Sequence, residues 1–252
     1  MDGDISLKNI LHARETLRGI SYTTQIKTHK DLDATASATV FLKCETLQRT
    51  GSFKFRGAYY AAVHAKTRGK ARAVATISSG NHGQGLALAA KLLDLSAHII
   101  IPKPYTERKF DAIAQQGAHA VAVDDRVSAS RMLQEIIRDK NAFHIHAFND
   151  PLVIAGQGTI MLELLEQISD LEVVLAPVGG GGLLSGLCIA AHELNPGLLL
   201  YACEPLGAAD AIESLRQNEI VPMPNPRTLA DGLRTSLGDQ TLPVLKIGRA
   251  HV

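Results

Sequence analysis

The chain has 252 residues, 46% of them hydrophobic, enough to bury a full core as one large domain or two modest ones. Its 26 Lys and Arg against 25 Asp and Glu leave a net charge of +1, with no basic stripe to follow a phosphate backbone, so nucleic acid is not an expected partner. Three scattered cysteines (Cys44, Cys188, Cys203), no signal-peptide pattern in MDGDISLKNI and no uncharged apolar run of about 18 residues point to a cytoplasmic protein that does not enter a membrane.

Along the chain, short β-branched or apolar runs alternate with longer stretches of helical period, which predicts an α/β fold. TVFLKCE (39–45) reads as a strand, RGAYYAAVHAKT (56–67) as a helix, AVATI (73–77) as a strand and HGQGLALAAKLLD (82–94) as a helix. AHIIIP (97–102) is a near-continuous apolar run suited to a strand covered on both faces. A helix near 106–116, the strand HAVAV (119–123) and a helix across 127–140 follow, so the strands should pair in parallel. AFHIHAF reads as a shorter strand and leads into a helix that Asp150 caps and Pro151 opens. EVVLAPV then runs into four glycines and another helix, and LLLYACEP closes the series. Polar and turn residues cluster near 70 and 148, which predicts a small α/β domain, 71–148, inserted into a larger one made of 1–70 and 149–252.

In open α/β sheets ligands sit beyond the carboxyl ends of strands, and the loops there are unusual in this sequence. PVGGGGLLSG (177–186) places Gly179, Gly180, Gly181 and Gly182 between a strand and a helix, where bare backbone amides and the helix N-terminus suit a phosphate. It lacks the Lys and Ser or Thr of a Walker loop and the spacing of a dinucleotide fingerprint. ISSGNHGQG (77–85) offers main-chain amides with Ser78, Ser79 and Asn81, a cradle for a carboxylate, or else only a capped helix start. TGSFKFRG (50–57) sets Lys54 between Phe53 and Phe55, either as a stem lying along apolar surface or as an amine kept partly dry so that it can react. A phosphate cradle, a carboxylate cradle and a dehydrated amine together are the parts that pyridoxal phosphate and an amino-acid substrate require.

GSFKFRGA, SSGNHGQG, AGQGT, PVGGGGLLSG and ADGLRTSLG (230–238) occur in an order and spacing that resemble the fold type II pyridoxal-phosphate enzymes, in their threonine dehydratase and serine racemase branch. The resemblance spans nearly the whole chain. It implies doubly wound, mostly parallel sheets in two domains, as in the tryptophan synthase β subunit. It also implies that Lys54 holds the cofactor as a Schiff base and then serves as base on the α-carbon. By the same resemblance Phe53 would pack on the pyridine ring, Asn81 would bond its phenolic oxygen, and amides from Gly179 to Leu183 would hold its phosphate. Ser78, Ser79, Asn81 and His82 would receive the substrate, with Ser79 matching the hydroxyl that serves the opposite face of the α-carbon in racemases. Glu204, Ala208 and Asp210 have the spacing of a divalent-cation site in the racemase-like members, with oxygen ligands that suit magnesium or calcium.

The activity implied is an ammonia-lyase that converts L-threonine or L-serine to a 2-oxo acid and ammonia, with serine racemase or hydroxyaspartate ammonia-lyase as alternatives. His144 and His146 lack a third ligand for a metal site and are expected to pack as partly buried rings. The family continues well beyond TSLG, into a segment that brings the Ser or Thr facing the pyridine nitrogen and completes the large domain. Here that segment is missing, and IGRAHV (247–252) matches a common sequencing adapter codon for codon, so the natural chain is expected to be longer. A full-length chain would be a homo-oligomer, as relatives are. Two other classes stay open: a catalytically silent fragment that at most binds the cofactor, and a nucleotide-binding domain that uses the glycine tetrad.

Overall fold

The computed structural model describes residues 5–247; residues 1–4 and the end of the IGRAHV tail, 248–252, lie outside the described residues. The helices are α1 (Leu7–Leu17), α2 (Lys30–Ala36), α3 (Lys54–Thr67), α4 (Asn81–Leu92), α5 (Glu107–Ala114), α6 (Arg126–Lys140), α7 (Pro151–Gln167), α8 (Gly182–Leu194), α9 (Asp210–Gln217) and α10 (Thr241–Ile247). The strands are β1 (Ile26–Thr28), β2 (Phe41–Lys43), β3 (Ala73–Ile77), β4 (Ser96–Pro102), β5 (His119–Val123), β6 (Phe143–His144), β7 (Val173–Pro177) and β8 (Leu199–Cys203). The fold is α/β with parallel sheets: β5-β4-β3-β6 form one, in that order, and β7 and β8 pair in parallel in another.

Two sequence expectations are corrected in detail. The strand over 39–45 contracts to three residues and pairs antiparallel with β1: on one side Val40 N–H is taken by the Asp33 carboxylate, and on the other Cys44 N–H makes one more bond to Gln25 O before the chain enters the turn Glu45–Leu47. The strand over AFHIHAF keeps two ladder residues, after which the chain turns out of the sheet and runs as irregular backbone to the Asp150 cap of α7. Among the described residues no helix is long and apolar enough to cross a membrane, and the three cysteines are free.

Helix α7 is the wall between two cores. Ala155, Ile160, Met161 and Leu164 face a core shared with α1, α8, β7 and β8, while Val153 joins the core of α3, α4, β3 and β4. Glycines let it approach its neighbours backbone to backbone. A Cβ on Gly156 would lie 2.5 Å from Gly57 Cα of α3, and one on Gly186 of α8 would lie 2.5 Å from both Gly158 N and Ile154 O. AGQGT is therefore a packing motif: its two glycines serve opposite neighbours.

Beside the α3–α7 contact the Arg56 guanidinium is buried, 1% exposed, and forks between Glu45 (2.8 Å) and Glu163 (2.6 Å). Lys43 Nζ joins Glu163 at 2.5 Å. The outer face of β7 and β8 exposes Val173, Leu175, Leu199 and Tyr201.

Gly186→Ala is expected to lower the thermal unfolding midpoint, followed by circular dichroism, by about 3–10 °C, since the methyl meets backbone that cannot yield cheaply. Gly197→Ala, whose methyl meets nothing nearer than 3.7 Å, should not lower it. Arg56→Met leaves two mostly buried carboxylates short of a partner and should lower the midpoint by about 10 °C; a midpoint equal to that of the unaltered protein would show that the ion cluster contributes nothing to stability.

Candidate active site

Lys54 is the first residue of α3, and the turn before it is sharp: Thr50 (φ +60°) and Gly51 (φ +73°) are consecutive left-handed residues. Its two aromatic neighbours diverge. Phe55 is fully buried against Tyr59 in the α3–α4 core, whereas Phe53 packs on the α7–α8 core and presents its ring centroid 5.2 Å from Lys54 Nζ. The amine donates to Ala147 O at 2.8 Å. Burial lowers its pKa from 10.5 to about 8, so a useful fraction is neutral near physiological pH.

The loop from β3 to α4 lies alongside. A Cβ on Gly85 would sit 3.2 Å from Phe55 N, so α4 abuts the start of α3. Ser78 Oγ accepts the N–H groups of Gly80 (3.3 Å) and Gly83 (3.1 Å) and shapes the turn, while half-buried Ser79 and exposed Asn81 stand at the helix mouth. His82 turns inward: its ring is buried, Nε2–H donates to Ile145 O at 3.3 Å, and Nδ1 is buried with no hydrogen-bond partner. Burial first, and then the Lys54 charge, drop its pKa to about 3, so it is neutral.

The glycine tetrad opens α8. Gly181 has φ +86°, a conformation that side chains resist, and a Cβ on Gly180 would fall 2.3 Å from the Phe148 ring. Gly179 lies under the ADGLRTSLG segment, where a Cβ would meet Gly232 O at 3.0 Å and Thr235 Oγ1 at 3.1 Å. The Thr241 hydroxyl donates to Gly180 O at 2.9 Å and accepts Gly238 N–H at 2.9 Å.

The irregular backbone after β6 brings these loops together. Ile145 O holds His82, Ala147 O holds Lys54, and Phe148 packs on Gly180 and Gly182. The N-termini of α3, α4 and α8 thus gather around residues 145–148. The helix-start amides of α4 and α8 suit anions, and the dry amine of α3 suits a carbonyl, a donor set whose chemistry fits pyridoxal phosphate. Sequence reading missed Ala147, Phe148 and Thr241. No residue-type pattern marks a main-chain acceptor such as Ala147 O, although the turn signal Asn149-Asp150-Pro151 showed where the strand had to end.

Glu204 and Asp210 also come together, at the start of α9. Glu204 accepts the N–H groups of Ala211 (3.0 Å) and Ile212 (3.1 Å), and Asp210 accepts Leu237 N–H at 3.3 Å. Burial raises both pKa values, and the Asp210 charge raises that of Glu204 further. Ala208 is buried in the turn between them. The His144 and His146 rings pack edge to face, with centroids 5.9 Å apart.

Comparisons with known proteins agree with this architecture. Residues 18–252 match the family described as pyridoxal-phosphate dependent enzyme. L-threo-3-hydroxyaspartate ammonia-lyase of a Pseudomonas species is 40% identical over 246 residues, covering 96% of this chain and 76% of the relative. The crystal structure of serine racemase from Dictyostelium discoideum superposes with a TM-score of 0.91 at 38% identity, covering 96% of this chain and 78% of that one. The crystal structure of maize serine racemase gives 0.92 at 35% identity, covering 98% and 74%. With its parallel sheets, its lysine at the start of a helix and its glycine tetrad, the chain belongs to the fold type II pyridoxal-phosphate-dependent enzymes.

Proposed function

We propose that the chain is an ammonia-lyase that converts L-threonine or L-serine to a 2-oxo acid and ammonia. The observation that carries the reading is the Lys54 amine: half-buried at the head of α3, bonded to Ala147 O, with a pKa brought down to about 8 by burial. When bound, pyridoxal phosphate supplies an electron sink conjugated to the substrate's α-carbon. In this reading Lys54 Nζ holds the cofactor and then takes the α-proton. It is available for that task because burial disfavours its charged form. The amides of Gly179 to Leu183 hold the phosphate, where the N-terminus of α8 adds favourable potential.

Phe53, whose ring lies by Lys54 Nζ, would pack on the cofactor ring, and Asn81 would bond its phenolic oxygen. Ser78, Asn81 and His82 line the substrate carboxylate. His82 contributes through the first-turn amides of α4, since its Nε2–H is committed to Ile145 O. The small domain, 71–148, carries this carboxylate cradle, and the large domain, 1–70 and 149–252, carries the lysine and the tetrad. In this reading Glu204, Asp210 and the Ala208 carbonyl would hold a divalent cation, magnesium or calcium. Two carboxylates whose pKa values burial raises gain from a nearby positive charge, and each keeps lone pairs beyond the N–H groups it accepts. The second reading is racemisation, supported by Ser79 at the mouth of α4, where a hydroxyl can serve the face of the α-carbon opposite Lys54.

Lys54→Ala should abolish the visible absorption of the bound cofactor and reduce 2-oxo acid release from L-threonine and L-serine at least about a thousandfold. Retention of both would refute the reading. Chiral product analysis on L-serine separates lyase from racemase, hydroxyaspartate as substrate tests the third possibility, and colour without product marks a chain that binds and does not turn over. The attachment rate of the cofactor should rise about tenfold from pH 7 to pH 9 and level off above that, because an amine of pKa about 8 is nearly all neutral by then. An ordinary lysine would still be climbing, about a hundredfold over the same interval.

A further inference from the structure

His146 takes part in none of the roles above, yet it organises the backbone that meets Lys54. Its Nδ1 accepts Asn149 N–H at 2.9 Å and Phe148 N–H at 3.4 Å, and its own backbone N–H donates to the Asp150 carboxylate. Asp and Asn ordinarily make such bonds to the backbone two and three residues ahead. A histidine can do so only while Nδ1 is unprotonated. Burial first, with the His144 and Lys54 charges acting in the same direction and Asp239 opposing, brings the His146 pKa down to about 4, so the lone pair is present at physiological pH.

The turn that His146 closes is pinned on its far side as well. Asn149 Nδ2 donates to Asp239 at 2.7 Å, and Asn149 Oδ1 accepts Gln240 N–H at 2.9 Å. Between these anchors stand the Ala147 carbonyl that receives Lys54 Nζ and the Phe148 ring that lies on Gly180. The His146 ring also packs edge-on against Phe148, with centroids 4.6 Å apart.

We propose that His146 is a positioning residue whose neutral imidazole caps the 146–149 turn and thereby aims the Ala147 carbonyl at the Lys54 amine. The inference rests on the reading of Lys54 as the cofactor-bearing amine. Without the cap two N–H groups lose their acceptor, the turn opens, water reaches the amine, and the burial that depresses its pKa is relieved.

The test measures the Lys54 amine itself, in protein without cofactor, by acetic anhydride labelling across a pH series with mass spectrometry of the Lys54 peptide. The unaltered protein should label with a midpoint near pH 8. His146→Phe keeps a ring and loses the acceptor, and its midpoint should move up by about one pH unit. His146→Asn keeps the acceptor and loses the ring, and should label as the unaltered protein does. The proposal is overturned if His146→Phe keeps the original midpoint or if His146→Asn moves as far as His146→Phe. Should His146→Phe fail to melt cooperatively, His146→Asn decides: an unmoved midpoint supports the cap and a moved one defeats it. Cofactor loading is followed separately by visible absorption, so a failure of the functional reading appears there and not in the labelling midpoints.

Discussion

Gly156 and Gly158 let α7 touch backbone on two sides, α3 through Gly57 and α8 through Gly186. Helices normally pack about 8–10 Å apart, with side chains interleaved. Taking away the Cβ at these crossings draws three helices together, and their positions then fix the site. Lys54 is the first residue of α3 and Gly182 the first of α8, so the distance between amine and tetrad follows from how closely α7 is gripped. Gly85 adds α4 by the same device, bringing Asn81 and the carboxylate cradle to the start of α3.

That gathering has an electrostatic consequence. Helix N-termini expose amides that no carbonyl of their own helix satisfies, so a site that collects them is positive without carrying many formal charges. The ionisable groups around Lys54 follow suit: His82 and His146 are held neutral, mainly by burial. Cationic imidazoles there would push the amine's proton off still more strongly, and they would compete with it for the anionic ligands. With them neutral, desolvation is what brings Lys54 down to about 8.

Arg56 works on the opposite side of α3. Its guanidinium bridges Glu45, just ahead of the Lys54 turn, to Glu163 on α7, and Lys43 shares Glu163. A buried fork of this kind fixes geometry more surely than it adds stability, because desolvation offsets much of the attraction. It ties the segment before Lys54 to the same helix that the glycines grip.

The elements from α3 to β8, their parallel strand pairing and the glycine tetrad were legible in the sequence because period, turn residues and backbone freedom are local properties, whereas α1, β1, α2, α9 and α10 went unread. Phe53 and Phe55 were visible as Lys54's neighbours, but not that they enter different cores; that depends on how α3 meets α7 and α4. AGQGT was legible only as part of a resemblance, and its physical meaning, two close crossings on opposite faces of one helix, needed the neighbours in place. Tertiary structure alone decided what lies opposite the lysine. Read as a strand, HIHAF gave no sign that its carbonyls would be turned on Lys54 and His82 or that Phe148 would cover Gly180. Main-chain acceptors carry no residue-type signature, and where they point is set by long-range packing.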